Sequence, residues 1–334
     1  MTAPSPVLVE IWRGDMLECV HRGMAVVCRP SGEVVAAWGD PARVILPRSS
    51  VKILQALALV ESGAAKAAGL GPEQLALASA SHQGAAIHTR LVRDWLASLG
   101  LGEADLRCGP QVPDDSAERF RLRTAGERPD QTHNNCSGKH AGFLTLARHL
   151  GAGPDYIDPD HPVQKAVAAA IAETGGEEIG RHAIDGCSAP NFAMSLAAIA
   201  TAMARLARPA ECCSGVRARA AQALREAMAA HPLLVAGEKR ACTDLIRAAS
   251  GGTVVKTGAE GVFTAMLPEQ GLGVALKIDD GATRASEAAM TALLVRLGAL
   301  PRDHPVVAAR GDAVQRNRRG IETGRLRAVA DLFG

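Results

Sequence analysis

An excess of charge of one sign is the first thing this sequence lacks: 37 Lys and Arg stand against 35 Asp and Glu, a formal net charge of +2 over 334 residues. Nucleic acid and acidic membrane surfaces select basic proteins, so neither is a default partner. A long apolar run is also missing. The longest, Phe192 to Ala204, is bounded by Asn191 and Arg205 and broken by Ser195 and Thr201. That is shorter than the roughly 20 residues a membrane span requires, and it predicts a buried helix. The residues from Met1 to Glu10 hold neither a basic n-region nor an uninterrupted apolar h-region, so no secretory signal is visible and a cytoplasmic location is expected. Paired C-x-x-C units are absent, which excludes a zinc ribbon; the eight cysteines then predict free thiols or metal ligands rather than a disulfide framework. Lysine is scarce, with seven residues at positions 52, 66, 139, 165, 239, 256 and 277. Arginine keeps its proton in a protein, whereas a desolvated lysine can become a neutral base, so the lysines at glycine- and serine-rich positions carry the most information.

What is present is ample for a packed core, with 47% hydrophobic residues. Short Val-, Ile- and Ala-rich runs at Pro6 to Trp12, Met24 to Val27 and Val34 to Trp38 predict antiparallel strands. From Ser49 to Ser62 the pattern becomes a helix apolar on most sides, stopped by Gly63. Ile87, Leu91 and Trp95 mark an amphipathic helix, and the polar stretch from Arg107 to Asn135 shows no sustained period, which predicts a long functional loop. Helical patterns dominate from Cys136 to about Ser250. Strands are then expected at Thr253 to Lys256, Val262 to Leu267 and Leu272 to Asp279, followed by a closing helix from Ala282 to Leu297. The chain reads as a single α+β domain over 1–334. An antiparallel sheet lobe comes from about 1–48 and 251–300, a helical lobe from about 49–250 is inserted, and an Arg-rich tail at 301–334 is expected to be a solvated surface element.

Ser49-Ser50-Val51-Lys52 forms an S-x-x-K. At a helix start it sets the Ser49 hydroxyl and the Lys52 amine about one turn apart on one face, where neutral Lys52 would take the serine proton. The competing reading is a helix cap followed by a snorkelling lysine. Two further segments add weight: Ser79-Ala80-Ser81-His82-Gln83-Gly84 after an apolar run, and Lys256-Thr257-Gly258 at the end of an expected strand. S-x-x-K, a second serine motif and K-T-G, in that order, is the layout of serine β-lactamases and penicillin-binding proteins, although the middle motif here is not S-D-N. A fourth cluster, His133-Asn134-Asn135-Cys136-Ser137-Gly138-Lys139-His140, is followed by Asp185-Gly186-Cys187. Cys136 and Lys139 share a helix face and Cys187 would close a metal site with them; alternatively the two cysteines are small buried hydrophobes.

Taken together, these segments resemble the L-asparaginases of the Rhizobium etli type. The resemblance runs through Arg48 to Lys52, Ala80 to His82, Asn135 to His140, Asp185 to Cys187, His231-Pro232-Leu233-Leu234-Val235-Ala236-Gly237-Glu238, Lys256 to Ala259 and Lys277-Ile278-Asp279-Asp280-Gly281, in family order over nearly the whole chain. It implies a β-lactamase-like fold used to hydrolyse L-asparagine to L-aspartate and ammonia. By position, Ser49 with Lys52 matches the nucleophile pair and Ser81 with Lys256 the second pair. Cys136, Lys139 and Cys187 match a zinc site, and His82 and Asp185 match the substrate pocket. Free asparagine is a zwitterion, so its pocket needs an acidic and a basic or N–H-donating partner, and Asp185 and Arg48 are the nearest candidates flanking the motifs. A homodimer is expected as well. The rival readings are a glutaminase of the same fold and a zinc-binding protein without turnover.

Overall fold

The computed structural model describes residues 4–213 and 215–334. Its main sheet is built from both ends of the chain, through β1 (Val7–Arg13), β2 (Met16–Cys28), β3 (Val34–Trp38), β4 (Val254–Thr257), β5 (Val262–Leu267), β6 (Leu272–Ile278), β7 (Asp312–Arg316) and β8 (Glu322–Ala328). All pairings are antiparallel, in the order β7-β8-β1-β2-β6-β5-β4 with β3 also against β2. β2 joins the two halves: its first residues pair with β1, and its last lie between β3 and β6. Every residue of β5 is buried, which is why its sequence, Val-Phe-Thr-Ala-Met-Leu, shows no polar alternation.

Between the two halves of the sheet come the helices α1 (Lys52–Glu61), α2 (Pro72–Ala78), α3 (Ala86–Ser98), α4 (Ser116–Ala125), α5 (Ser137–His149), α6 (Pro162–Gly175), α7 (Leu196–Ala207), α8 (Gly215–Ala230) and α9 (Ala241–Ala248); α10 (Thr283–Arg296) follows β6. The long apolar run becomes α7, capped by Ser195 Oγ accepting from the Ala198 N–H, and α7 lies on β2, β5 and β6. Gly273 in β6 makes that approach possible, since a Cβ there would sit 2.1 Å from Ala200 O. α1 is buried among α5, α6 and α8, and Gly63 at φ +84 ends it.

Four expectations need correction. β2 starts at Met16 rather than Met24, because Gly14 at φ +57 turns a hairpin whose outer residues, Met16 to Cys19, are exposed and carry no burial pattern. The helix expected from Ser49 opens as a 3-10 turn, Arg48–Val51, and its continuation α1 packs on helices; the turn itself meets β4 and β5. The stretch from Arg107 to Asn135 is not irregular throughout. It contains α4, capped by Asp115 Oδ1 on the Glu118 N–H and closed by Gly126 at φ +66; only Glu118 and Leu122 of α4 are buried, so no apolar period announces it. The tail after 301 is part of the sheet. Leu326 and Ala328 face inward while Arg325 and Arg327 face out to Asp312 and Glu10, and this strand alternation was hidden by its arginines.

Candidate active site

Ser49 sits half-buried on the turn that opens α1, beside Arg48, whose φ of +54 is the left-handed region that residues with a Cβ seldom occupy. The turn is fixed from below. Ser50 Oγ donates to Pro47 O at 2.7 Å, the Lys52 N–H donates to Ser49 O, and Thr264 Oγ1 on β5 donates to Ser50 O at 3.0 Å. Gly258, the glycine of the K-T-G, lies against this turn so closely that a Cβ would stand 2.8 Å from Pro47 O. The end of β4 and the Ser49 turn are therefore neighbours because residue 258 has no side chain.

Two fully buried lysines converge on Ser81. Lys52 Nζ is 3.0 Å from Ser81 Oγ, 2.5 Å from Ala80 O and 3.4 Å from Asn135 O, while Lys256 Nζ is 2.8 Å from Ser81 Oγ and 2.7 Å from Thr257 O. Three oxygens around Lys52 match the three N–H donors of an ammonium. Lys256 is different: burial, reinforced by the charges of Lys52 and Arg240, lowers it from 10.5 to about 7, against the opposing pull of Cys242. A neutral Lys256 accepts the Ser81 hydroxyl proton while Ser81 Oγ accepts from Lys52. Among the described residues no hydrogen bond joins Ser49 Oγ to Lys52, so the amine that shares a helix turn with Ser49 is anchored on the second serine.

His82 backs this arrangement from inside the protein. Its Nδ1 accepts from the Gly84 N–H at 3.1 Å, so Nε2 carries the proton and meets Ser137 Oγ at 2.9 Å; the ring stacks on His88 with centroids 4.7 Å apart. Burial, followed by the charges of His88 and Lys52, drives its pKa well below the usual value. With both nitrogens taken, the ring holds the Ser81 segment instead of offering a free donor. The His231 to Glu238 motif performs a similar task, because Val235 O accepts the Ser81 N–H at 2.9 Å and Leu233 O pairs with His88 Nε2 at 3.0 Å.

Arg48 Nε donates to Asp185 Oδ1 at 2.8 Å. Burial would raise that carboxyl, but Lys139, the Gly186 N–H and Arg48 outweigh it and hold the group below its ordinary range. Next to it, Lys139 Nζ lies 3.1 Å from Cys187 Sγ, while Cys136 Sγ donates to Asn135 Oδ1 at 2.9 Å. The neighbouring Cys136, with help from Lys139, lowers the Cys187 thiol against the effect of burial, and Cys187 together with burial raises Cys136. All three side chains are buried. Gly138 lets this helix start press on α2, since a Cβ there would fall 2.4 Å from Leu77 O. No group of three His, Cys, Asp or Glu converges as a metal site among the described residues. The convergent set here is two sulfurs and an amine.

Against known families, the model of L-asparaginase II matches residues 9–328. The chain belongs to the L-asparaginase II family. Membership carries hydrolysis of the side-chain amide of L-asparagine. No curated protein matches the chain. Among solved structures it is similar to a β-lactamase from Mycobacterium bovis, with 16% identity over 86% of this chain and 94% of the other and a TM-score of 0.44. It is also similar to Mglu in its tris and glutamate form, with 14% identity over 93% and 68% and a TM-score of 0.48. A putative β-lactamase from Bacteroides dorei shares 10% over 77% and 84%, with a TM-score of 0.42.

For an L-asparaginase of this family, two neighbours of the lysines escaped the sequence reading. Cys242 Sγ accepts the Thr257 N–H at 3.2 Å beside Lys256, and Arg240 adds charge there. No motif marks either, and only the folding of α9 onto β4 brings them in. Asn135, whose carbonyl faces Lys52, does lie inside a segment that the sequence singled out; its side chain drew no attention because the working atom is on the backbone.

Proposed function

We propose that this L-asparaginase works through an aspartyl ester on Ser49, with protons moved along a line of two lysines and one serine. The observation that carries the reading is Ser81 Oγ held between Lys52 Nζ and Lys256 Nζ, at 3.0 and 2.8 Å, beside the turn that bears Ser49. Lys256, lowered to about 7, is the free base once pH passes that value. It takes the Ser81 proton, Ser81 takes one from Lys52, and Lys52, now neutral, takes the Ser49 proton as Ser49 Oγ attacks the amide carbon. The C–N bond breaks, the nitrogen leaves as ammonia with the returned proton, and water then cleaves the ester to aspartate. Backbone N–H groups at the helix start would hold the oxyanion. Asp185 and Arg48, already paired at 2.8 Å, present a carboxylate and a guanidinium that suit the α-ammonium and α-carboxylate of asparagine.

The set Cys136, Lys139 and Cys187 fits zinc by donor chemistry, which favours thiolate and nitrogen ligands. Bound there, zinc would supply a cross-link between α5 and the segment carrying Asp185, with Lys139 deprotonated to ligate. Metal content of the purified protein and of Cys187→Ala tests this; undiminished zinc in the variant would reject the site. Eight free cysteines fit a reducing cytoplasm, and a homodimer is proposed from the family resemblance, to be weighed by light scattering.

The deciding experiment is ammonia release from L-asparagine and L-glutamine measured side by side. Preference for asparagine by about 10–200-fold is expected from one methylene of misfit. Equal rates would establish a broader amidohydrolase, and no ammonia from either would leave a zinc-binding protein without turnover. Because Ser81 is the serine in contact with both lysines, the trapped ester should also be mapped by mass spectrometry; an ester on Ser81 would exchange the roles of the two serines.

A further inference from the structure

His133 precedes the zinc-ligand segment and has no role in the chemistry above, yet it is buried, at 2% exposure, between two carboxylates. Its Nδ1 lies 2.8 Å from Asp130 Oδ1 and its Nε2 3.4 Å from Glu118 Oε1. A carboxylate only accepts hydrogen bonds, so Asp130 Oδ1 at 2.8 Å calls for a proton on Nδ1 and Glu118 Oε1 for one on Nε2, which together make an imidazolium; the Asp130 N–H, 3.1 Å from Nδ1, is the contact that a neutral ring protonated on Nε2 would take instead. Asp130 belongs to the same turn as His133, Gln131–His133, whereas Glu118 belongs to α4. The ring is thus the charged link between that helix and the turn.

Both linked pieces lead to the lysines. On one side, Asp115 at the head of α4 binds Gln83, through Asp115 N–H to Gln83 O at 2.9 Å and Gln83 Nε2 to Asp115 Oδ2 at 3.0 Å, next to His82 and Ser81. On the other, the turn runs into Asn135, whose carbonyl accepts from Lys52 Nζ and from the His82 N–H, and Thr132 O accepts from Ser137 Oγ, the partner of His82. We infer that His133, as an imidazolium, is a positioning residue that clamps α4 to the turn at 131–135 and thereby fixes the Asn135 carbonyl that holds Lys52.

The charged and titratable groups around the ring agree with that state. Asp130 faces it from its own turn, Glu118 and Arg121 from α4, Arg93 from α3 and His82 from the Ser81 segment; Glu103 binds the Gln131 N–H, and α5 contributes Lys139, engaged with Cys187, and His140, engaged with Tyr156. Burial opposes charge on His133, but Asp130 and then Glu118 outweigh it and raise its pKa. A raised folded-state value means that the clamp contributes its full stability below the unfolded value of 6.5 and loses it as pH rises through the folded value.

This inference rests on the reading of Lys52 as part of the proton line, so its test has two arms. In the first, imidazole signals of the whole protein are titrated by NMR, with His133 identified by its loss in His133→Gln. His133 is expected to titrate above 6.5 and to move down in Glu118→Gln; a midpoint below 6.5, or no response to Glu118→Gln, overturns the clamp. In the second, folded His133→Gln is expected to lose about tenfold or more in kcat with KM within about twofold. Unchanged kcat overturns the positioning role even if the titration is as expected. Full activity in Lys52→Met would instead reject the proton line, while the NMR arm would still decide the clamp by itself.

Discussion

Two lysines, Lys256 and Lys139, are buried to the same degree and respond in opposite ways. Lys256 is surrounded by a hydroxyl, a backbone carbonyl and other cations, so burial prevails and its pKa falls to about 7. Burial pushes Lys139 the same way, but Cys187, Cys136 and Asp185 lie around it and raise it above the ordinary 10.5. Burial by itself therefore does not make a base. What makes one is burial without an anion, and the chain provides that at Ser81 and withholds it at Cys187.

The comparison breaks most visibly in turnover. Ser49→Ala should abolish activity, and Lys256→Ala should lower kcat by about 10²–10⁴; near-normal ammonia release from the first would remove Ser49 as the nucleophile, and from the second the Ser81 line from the mechanism. Stability should divide the two lysines next. Lys139→Met leaves Cys187 without its cation, a loss on the order of 3–5 kcal/mol for a broken buried pair. Lys256→Met should raise Tm, because the native state binds fewer protons than the unfolded chain between about pH 7 and 10.5, so the lysine weakens the fold below that window and the gain from its removal should fade as pH rises to 10.5. Thermal melts of both variants in chelator-treated protein should move apart, and parallel losses would contradict the assignment. In pH profiles, kcat/KM should rise through about 7 as Lys256 loses its proton, and Lys256→Ala should lack that limb. The smallest effect is expected from Asp185→Asn, a rise in KM of about tenfold or more for a charged contact of about 1.5–3 kcal/mol; an unchanged KM would place the α-ammonium elsewhere.

Those lysines are legible in the sequence, since a chain that otherwise uses arginine keeps lysine at 52, 139 and 256 among serines and glycines. The strands Val34–Trp38 and Val262–Leu267 were equally plain, being short, apolar and bounded by turns. β8 and α4 were not, because their inward residues are few and their outward ones charged, a pattern that solvated segments share. At the site, residue types were legible and contacts were not. Helical spacing suggested Lys52 with Ser49, but Lys52 is a long side chain whose amine reaches across to carbonyls and a hydroxyl from two other segments.

The register that joins β2 to β6 also sets an order of assembly. With synthesis at about 5–20 residues per second, the β1 to β3 strands wait roughly 10–50 s on the ribosome before their partners emerge. The helices between them make mostly local contacts and need not wait. During that interval the edge of β2 that will receive β6, at Met24 paired to Lys277, is open to other chains, as unpaired edges are. Lys256 arrives with β4 on the same late closure, so the nascent chain acquires its low-pKa lysine in the step that covers this edge of β2.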